Sequence, residues 1–470
     1  MNMERRTIYV LVFVSLLFFI LVGYLTCFEL FQKDRIVSNP YNRRQYEIEE
    51  KTLRGSIYDS RGKVLANSVV TDGVQKREYP YGPMYSHVIG YSSRKYGKSL
   101  IEAKFNNYLL GMDDSSAVLS IKDKLTGNAR EGNDIYLTID HELQEKAYNL
   151  LGDRKGAIVA MNPKTGEILA MVSKPDFNPD DSELEKNWSN MIDDEDAPFL
   201  TRATQGLYTP GSTYKVVIGA AAVENNLSDK IYEDKGTATI DGKKISNSGG
   251  KAYGKIDIKT AMAVSSNVVF ATIGCELGED NLKEIAQRVG LGASIPFDIP
   301  VSQSAFKYNR MSNADMAAVG IGQGKILVTP LHMALITSAI ANDGVMMKPI
   351  LVSRVERRSG IVLKRQKPSE LYRIMSPETA SHVKDMMVEV VESGTGKKAA
   401  VKGIKVAGKT GTAENELTAR QKNKEHAWFI GFAPADDPQI AVAVILEYSG
   451  STGGSAAAPI ARDLISAWVK

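Results

Sequence analysis

The chain has 470 residues, 43% of them apolar and 24% charged, with a formal net charge of +3. That length allows two domains and a large core, and the composition excludes wholesale disorder. A charge this small, with no dense Lys/Arg run interleaved with aromatics, gives no footprint for nucleic acid. The two cysteines, Cys27 and Cys275, lie in unrelated apolar stretches without C-x-x-C spacing, so neither a disulfide between them nor a redox or zinc motif is expected. The five histidines are scattered with no H-x-x-x-H pair, and no metal or cofactor is expected.

In chain order, a short tail of residues 1–7 precedes the uncharged run "IYVLVFVSLLFFILVGYLTCF" at residues 8–28. It is long enough for a bilayer core of about 30 Å and has no A-x-A cleavage site behind it, so an uncleaved membrane anchor is expected. Arg5 and Arg6 precede the run, and Lys33, Arg35, Arg43 and Arg44 follow it, so charge counting leaves the orientation open. Residues 29–154 are polar and punctuated. They read as a small, mostly β stalk module with little core of its own, in which "SIYDSRGKVLA" makes a hairpin turning at Ser60-Arg61-Gly62.

From residue 155 the texture changes. "GAIVAMNPKTGEILAMVS" predicts two apolar strands around a Pro/Gly turn. Helices are predicted from Ser212 to about Asn226, across "DIKTAMAVSSNVVFATIGCELG", and across "TPLHMALITSAIANDGV". "IKVAGKTGTAE", "HAWFIGFAP" and "QIAVAVILEYS" then predict three successive strands, and "GGSAAAPIARDLISAWVK" a closing helix. Strands at both ends with helices between imply one antiparallel sheet carrying a mostly helical insertion, an α+β domain over residues 155–470.

S-x-x-K begins at Ser60, Ser92, Ser212, Ser248, Ser304 and Ser381, so the motif alone carries little. Ser212 differs by context: Pro210-Gly211 stands before it and helix formers follow. Three residues along a helix bring side chains to one face, so Lys215 can reach the Ser212 hydroxyl. A helix N-terminus favours an alkoxide or oxyanion, and a desolvated lysine near another cation loses its proton readily. Taken alone, the pair also suits a capping serine and a lysine snorkelling to solvent. S-x-N occurs once, as Ser265-Ser266-Asn267, inside an apolar, helix-like segment, where three polar residues together ask for a reason and a helix kink or capped end is the plainer alternative. K-T-G occurs at Lys164-Thr165-Gly166, in the turn of the first hairpin, and at Lys409-Thr410-Gly411-Thr412, on the first closing strand. A strand glycine lets a ligand approach the backbone, and a lysine beside two hydroxyls suits a carboxylate; an edge strand guarded by lysine is the plainer alternative.

S-x-x-K, S-x-N and K-T-G in this order resemble the signature of penicillin-binding proteins and serine β-lactamases. "RGSIYDSRGKVLA", "TRATQGLYTPGSTYK" and "GIGQGKILVTPLHMALITSAIANDG" extend the likeness from Arg54 onward to class B penicillin-binding proteins of the A type. The resemblance implies a transpeptidase-like domain with a central five-stranded antiparallel sheet, helices on both faces and a helical subdomain. It also implies the roles. Ser212 is the nucleophile, Lys215 the base, Ser265 and Lys409 pass a proton to the leaving group, and Asn267 holds the substrate amide and Lys215. Ser212 and Thr412 form the oxyanion hole, while Thr410, Gly411 and Thr412 receive the substrate carboxylate. The implied activity is cross-linking of peptidoglycan stem peptides through an acyl-enzyme formed on D-Ala-D-Ala and trapped by β-lactams. Implied too are a single-pass place in a bacterial cell membrane, a catalytic domain outside, and a glycan polymerase partner of the FtsW/RodA kind. A D,D-carboxypeptidase, a β-lactamase and a non-catalytic cell-wall scaffold are the alternatives. A β-lactamase of class A needs a Glu in E-x-x-L-N, and the nearest stretch here, Glu279 to Lys283, ends in lysine.

Overall fold

The computed structural model describes residues 3–28, 49–50, 52–71, 74–112, 130–414 and 424–469. The cations that follow the apolar run, Lys33 to Arg44, lie outside them. With no charge, proline or pair of polar residues to interrupt it, that run forms one helix, α1 (Met3–Cys27). Its segment Arg6–Cys27, 22 residues of mean hydropathy up to 2.7, is long and apolar enough to cross a membrane.

The N-terminal module follows. Asp59 makes the expected hairpin: its carboxylate accepts from Arg61 N at 2.9 Å and Lys63 N at 2.6 Å, and Gly62 supplies φ +86. The flanking strands are β1 (Ile57–Tyr58) and β2 (Val64–Thr71), continued by β3 (Val74–Glu78) and β4 (Asp134–Leu137). The expectation of little core is corrected here. Ile57, Leu65, Val88, Ile89, Ile101 and Leu109 are fully buried or nearly so. The reason is long-range pairing: β1 runs parallel to β4, with Ile57 opposite Ile135, and such contacts leave no periodicity in a local window. Beneath this sheet Glu102 is buried between Arg54 and Arg77. Burial pushes its carboxyl up, but the two guanidiniums overrule it and hold the group near 2.

Next come helix α2 (His141–Leu151), capped by Asp140, and the hairpin β5 (Gly156–Met161) and β6 (Ile168–Lys174). Helix α3 (Lys215–Glu224) follows the Ser212 turn and is buried on nearly every side, as its Ala/Val composition demands. The insertion is mainly helical, with strand β7 (Tyr232–Asp234) and helices α4 (Ile258–Val264) and α5 (Asn267–Arg288). Helix α6 (Pro330–Ala341), strands β8 (Val352–Glu356) and β9 (Val362–Arg365), and helix α7 (Pro377–Glu392) lead to the closing strands. These are β10 (Ala407–Ala413), β11 (His426–Ala433) and β12 (Ile440–Leu446), and helix α8 (Gly453–Trp468) ends the fold.

The central sheet has five strands in the order β6-β5-β12-β11-β10, all antiparallel, which places β10 at an edge. Both faces are covered, so β5, β6, β11 and β12 are largely continuous apolar runs rather than alternating ones, while β10 carries the K-T-G-T motif. Ala441, Ala443 and Ile445 pack into the layer that contains α6. Val442, Val444 and Leu446 pack into the layer with α2 and α8. A second sheet, β9-β8-β4-β1-β2-β3, joins the N-terminal module to the catalytic region, because β8 pairs with β4 (Val355 opposite Ile135).

Candidate active site

The nucleophile turn is built before α3 begins. Gly211–Tyr214 is a single 3-10 turn rather than the first turn of an α-helix, and Gly211 has φ +53. Three contacts hold it: Gly211 N to Gly322 O at 2.9 Å, Thr213 Oγ1 to Pro210 O at 2.7 Å, and Trp428 Nε1 to Thr209 O at 3.2 Å. Ser212 is half-buried and lines a cleft of about 770 Å³ together with Ser265, Asn267, Thr410 and Thr412. A second cavity, of about 540 Å³ around Arg54 and Arg77, shares no lining residue with it.

The S-x-N motif does not lie within one helix, as its apolar setting suggested. α4 ends at Val264, Ser265 takes the left-handed conformation at φ +57, and Ser266 caps α5 by accepting from Val269 N. A left-handed serine costs about 1–3 kcal/mol and needs its surroundings to hold it. Here Lys215 Nζ donates to Ser265 O at 2.9 Å and to Asn267 Oδ1 at 2.8 Å, and lies 3.3 Å from Ser265 Oγ. Lys409 Nζ donates to the same Ser265 Oγ at 2.8 Å and to Thr410 O at 2.9 Å. One hydroxyl thus lies between two amines. Asn267 is itself aimed by its Nδ2 donating to Ser246 O at 2.9 Å.

Both lysines are fully buried, with no carboxylate in an ion pair with either among the described residues. Burial, reinforced by the Lys409 charge and opposed by Asp234, holds Lys215 well below an ordinary lysine. Burial alone lowers Lys409 to about 7. A neutral lysine amine has two N–H groups and one lone pair. The two shorter Lys215 contacts are to carbonyl oxygens, which only accept, so they use both N–H groups and leave the lone pair for a proton.

K-T-G-T lies on edge strand β10. Thr410 Oγ1 is 2.7 Å from Thr395 Oγ1, and Thr412 is exposed in the cleft. A Cβ on Gly411 would come within 2.9 Å of Thr213 Cγ2 and 3.0 Å of Trp428 Cβ. The glycine therefore lets β10 press against the nucleophile turn; the close approach is to the chain itself. The other motif copies are elsewhere. Lys164 pairs with Asp437 at 2.5 Å in a surface turn, and Ser381 is exposed on α7. Glu279 is engaged by Lys283 and Met311 N, and the carboxylates lining the cleft are Glu414 and Glu425.

Sequence reasoning missed Thr395, Asn247 and Asp234. Asn247 precedes Ser-Gly-Gly and reads as turn chemistry, and Asp234 stands among exposed charges in "YEDKG". Neither has a signal separable from an ordinary loop.

Residues 156–466 match the model of the penicillin-binding protein transpeptidase domain, and residues 54–135 that of the penicillin-binding protein A dimerisation domain. The chain is 34% identical over 99% of both lengths to the peptidoglycan D,D-transpeptidase PbpA of Mycolicibacterium smegmatis. It is 32% identical, again over 99% of both, to PbpA of Mycobacterium tuberculosis. Among solved structures it resembles the ceftriaxone acyl-enzyme complex of M. tuberculosis penicillin-binding protein A. That likeness has a TM-score of 0.86 and 30% identity, and covers 90% of this chain and 100% of that one. The motif order, the five-stranded sheet and these likenesses agree: the chain belongs to the class B penicillin-binding proteins.

Proposed function

We propose that this penicillin-binding protein is a peptidoglycan D,D-transpeptidase in which Ser212 is the nucleophile and Lys215 the base. The observation that carries the reading is the buried Lys215–Ser265–Lys409 chain of hydrogen bonds beside Ser212, with both amines depressed. Ser212 Oγ attacks the carbonyl carbon of the penultimate D-alanine while the neutral Lys215 amine takes its proton. The N–H groups of Ser212 and Thr412 hold the oxyanion, each such donor being worth about 3 kcal/mol. As the C–N bond breaks, Ser265 gives its proton to the departing D-alanine and is resupplied from the Lys409 side. Asn267 orients the substrate amide and Lys215. Thr410 and Thr412, beside Gly411, receive the terminal carboxylate. The amine of a neighbouring stem peptide then attacks the ester and releases Ser212.

A donor of this kind lies outside the cytoplasm. Residues 1–7 are therefore assigned inside, 8–28 across the cell membrane, 29–154 to the stalk module and 155–470 to the chemistry, with a glycan polymerase of the FtsW/RodA kind as partner. The test is to incubate the protein with a fluorescent penicillin and separate it under denaturing conditions. Stable labelling that disappears in Ser212→Ala is expected. No labelling of the unaltered protein sinks the reading, and labelling lost within moments favours a β-lactamase.

A further inference from the structure

The middle residue of the S-x-N turn does not face the lysines. The Ser266 hydroxyl donates to Asp234 Oδ2 at 2.6 Å. Asp234, at the end of β7, is 1% exposed. Its carboxylate also accepts from Gly236 N at 2.8 Å, and Asn247 Nδ2 is 2.8 Å from both oxygens. Asn247 Oδ1 in turn accepts from Asn267 N at 2.8 Å and Val268 N at 3.1 Å. Two N–H groups at the start of α5 are thus capped by a residue outside the helix. No Lys or Arg forms an ion pair with Asp234 among the described residues. A buried carboxylate without a countercharge is expensive, and hydrogen bonds from neutral donors offset only part of the cost.

The turn is therefore gripped from two sides. Lys215 and Lys409 hold Ser265 and Asn267 from the cleft, while Asp234 holds Ser266 directly and Asn267 through Asn247. We propose that Asp234 is a positioning residue for the transpeptidase site: through Ser266 and Asn247 it keeps Ser265 left-handed between the two amines and Asn267 on Lys215. The proposal rests on Lys215 being the base, as set out above. Asp234 opposes the lowering of Lys215 that burial and Lys409 produce. Asp234 also acts on the Tyr253 phenol, which is raised by burial first and by this carboxylate second. Glu233 and Lys235, its neighbours in sequence, pair with each other at 3.4 Å.

The test uses the full chain, with the rate of acylation by fluorescent penicillin followed along the acid limb of its pH profile and thermal unfolding recorded alongside. Ser266→Ala removes the link and keeps the charge. Acylation is expected to slow by about ten- to a hundredfold, the range for losing a hydrogen bond to a charged group, with the limb unmoved. Asp234→Asn is expected to slow acylation similarly and to move the limb to lower pH, because Lys215 then sheds its proton more readily. A merely structural role slows the enzyme without moving the limb, so an unmoved limb in a folded Asp234→Asn overturns the proposal. So does a wild-type rate in Ser266→Ala, which decides the matter alone if Asp234→Asn does not fold. Failure of the base assignment shows separately, as Lys215→Met that still acylates at the wild-type rate.

Discussion

Lys409 works against the stability of the fold that holds it. Its folded-state value, about 7, lies below the 10.5 of an ordinary lysine, and the cause is burial. Between those two pH values the unfolded chain binds a proton that the folded chain does not, so stability rises with pH across the window. Below about pH 7 the full burden is present, and above 10.5 it is gone. Lys409→Met replaces the amine by an apolar side chain of similar length. It is expected to abolish acylation and to raise the thermal unfolding temperature at neutral pH. The gain is on the order of 1–4 kcal/mol, the range for replacing buried charge by apolar packing, less the hydrogen bonds lost to Ser265 Oγ and Thr410 O. Calorimetry should find that gain shrinking as pH rises towards the ordinary lysine value; a lower unfolding temperature at neutral pH would contradict the account. At this scale the sequence was legible where a residue type is rare in its setting. A lysine in an apolar helix start and a lysine on an apolar strand both demand a reason. Asp234 and Asn247 were not legible, because a loop is an ordinary place for either and only the fold brings them beneath Ser266.

The elements that carry the motifs meet through glycine. Gly322 has φ +70, its carbonyl accepts from Gly211 N, and a Cβ placed on it would lie 2.0 Å from Gly211 O and 2.8 Å from Tyr214 Cβ. Gly322→Ala must therefore displace the turn that carries Ser212. It is expected to destabilise the protein by about 1–3 kcal/mol through overpacking and strain, and to slow acylation by at least about tenfold. Gly403 separates collision from backbone strain. It too has positive φ, +78, but nothing lies within 4 Å of its Cβ position, so Gly403→Ala should cost stability and leave the acylation rate unchanged. Equal loss of rate in both variants would mean that the collision is not what matters. The strands β5, β6, β11 and β12 were legible because turn residues punctuate long apolar runs. The break at Ser265 was legible only as an alternative, three polar residues that suit a kink or a capped end. Apolar residues continue on both sides of it, and what ends α4 is a backbone conformation held by hydrogen bonds that Lys215 and Lys409 donate to the turn and that Asp234 and Asn247 accept from it.

On the scale of the whole molecule, the catalytic region leans on residues that precede it. α2 lies before Gly156, yet Leu143, Ala147 and Leu151 are buried in the layer beneath the central sheet, with Leu169, Val172 and Leu464. Full burial of each leucine is worth about 2–3 kcal/mol. β8 reaches the other way and pairs with β4, so without β4 its edge and the side chains of Leu351, Val352 and Val355 lose their cover. Pairings more than two hundred residues apart leave no mark in a local window, which is why the module was read as a stalk with little core. The consequence concerns where the chain can be cut. A fragment of residues 49–470 keeps both sheets and every core layer, and it is expected to be soluble, to unfold in one cooperative transition and to take up fluorescent penicillin at the full-length rate. A fragment of residues 155–470 keeps Ser212, Lys215, Ser265, Asn267 and Lys409 but loses α2 and the partner of β8. An exposed strand edge and uncovered leucines favour association over folding. Expression, calorimetry and labelling of the two fragments should therefore disagree sharply. If the shorter one folds and acylates as fast as the longer, the two sheets are independent and the shared-sheet argument fails.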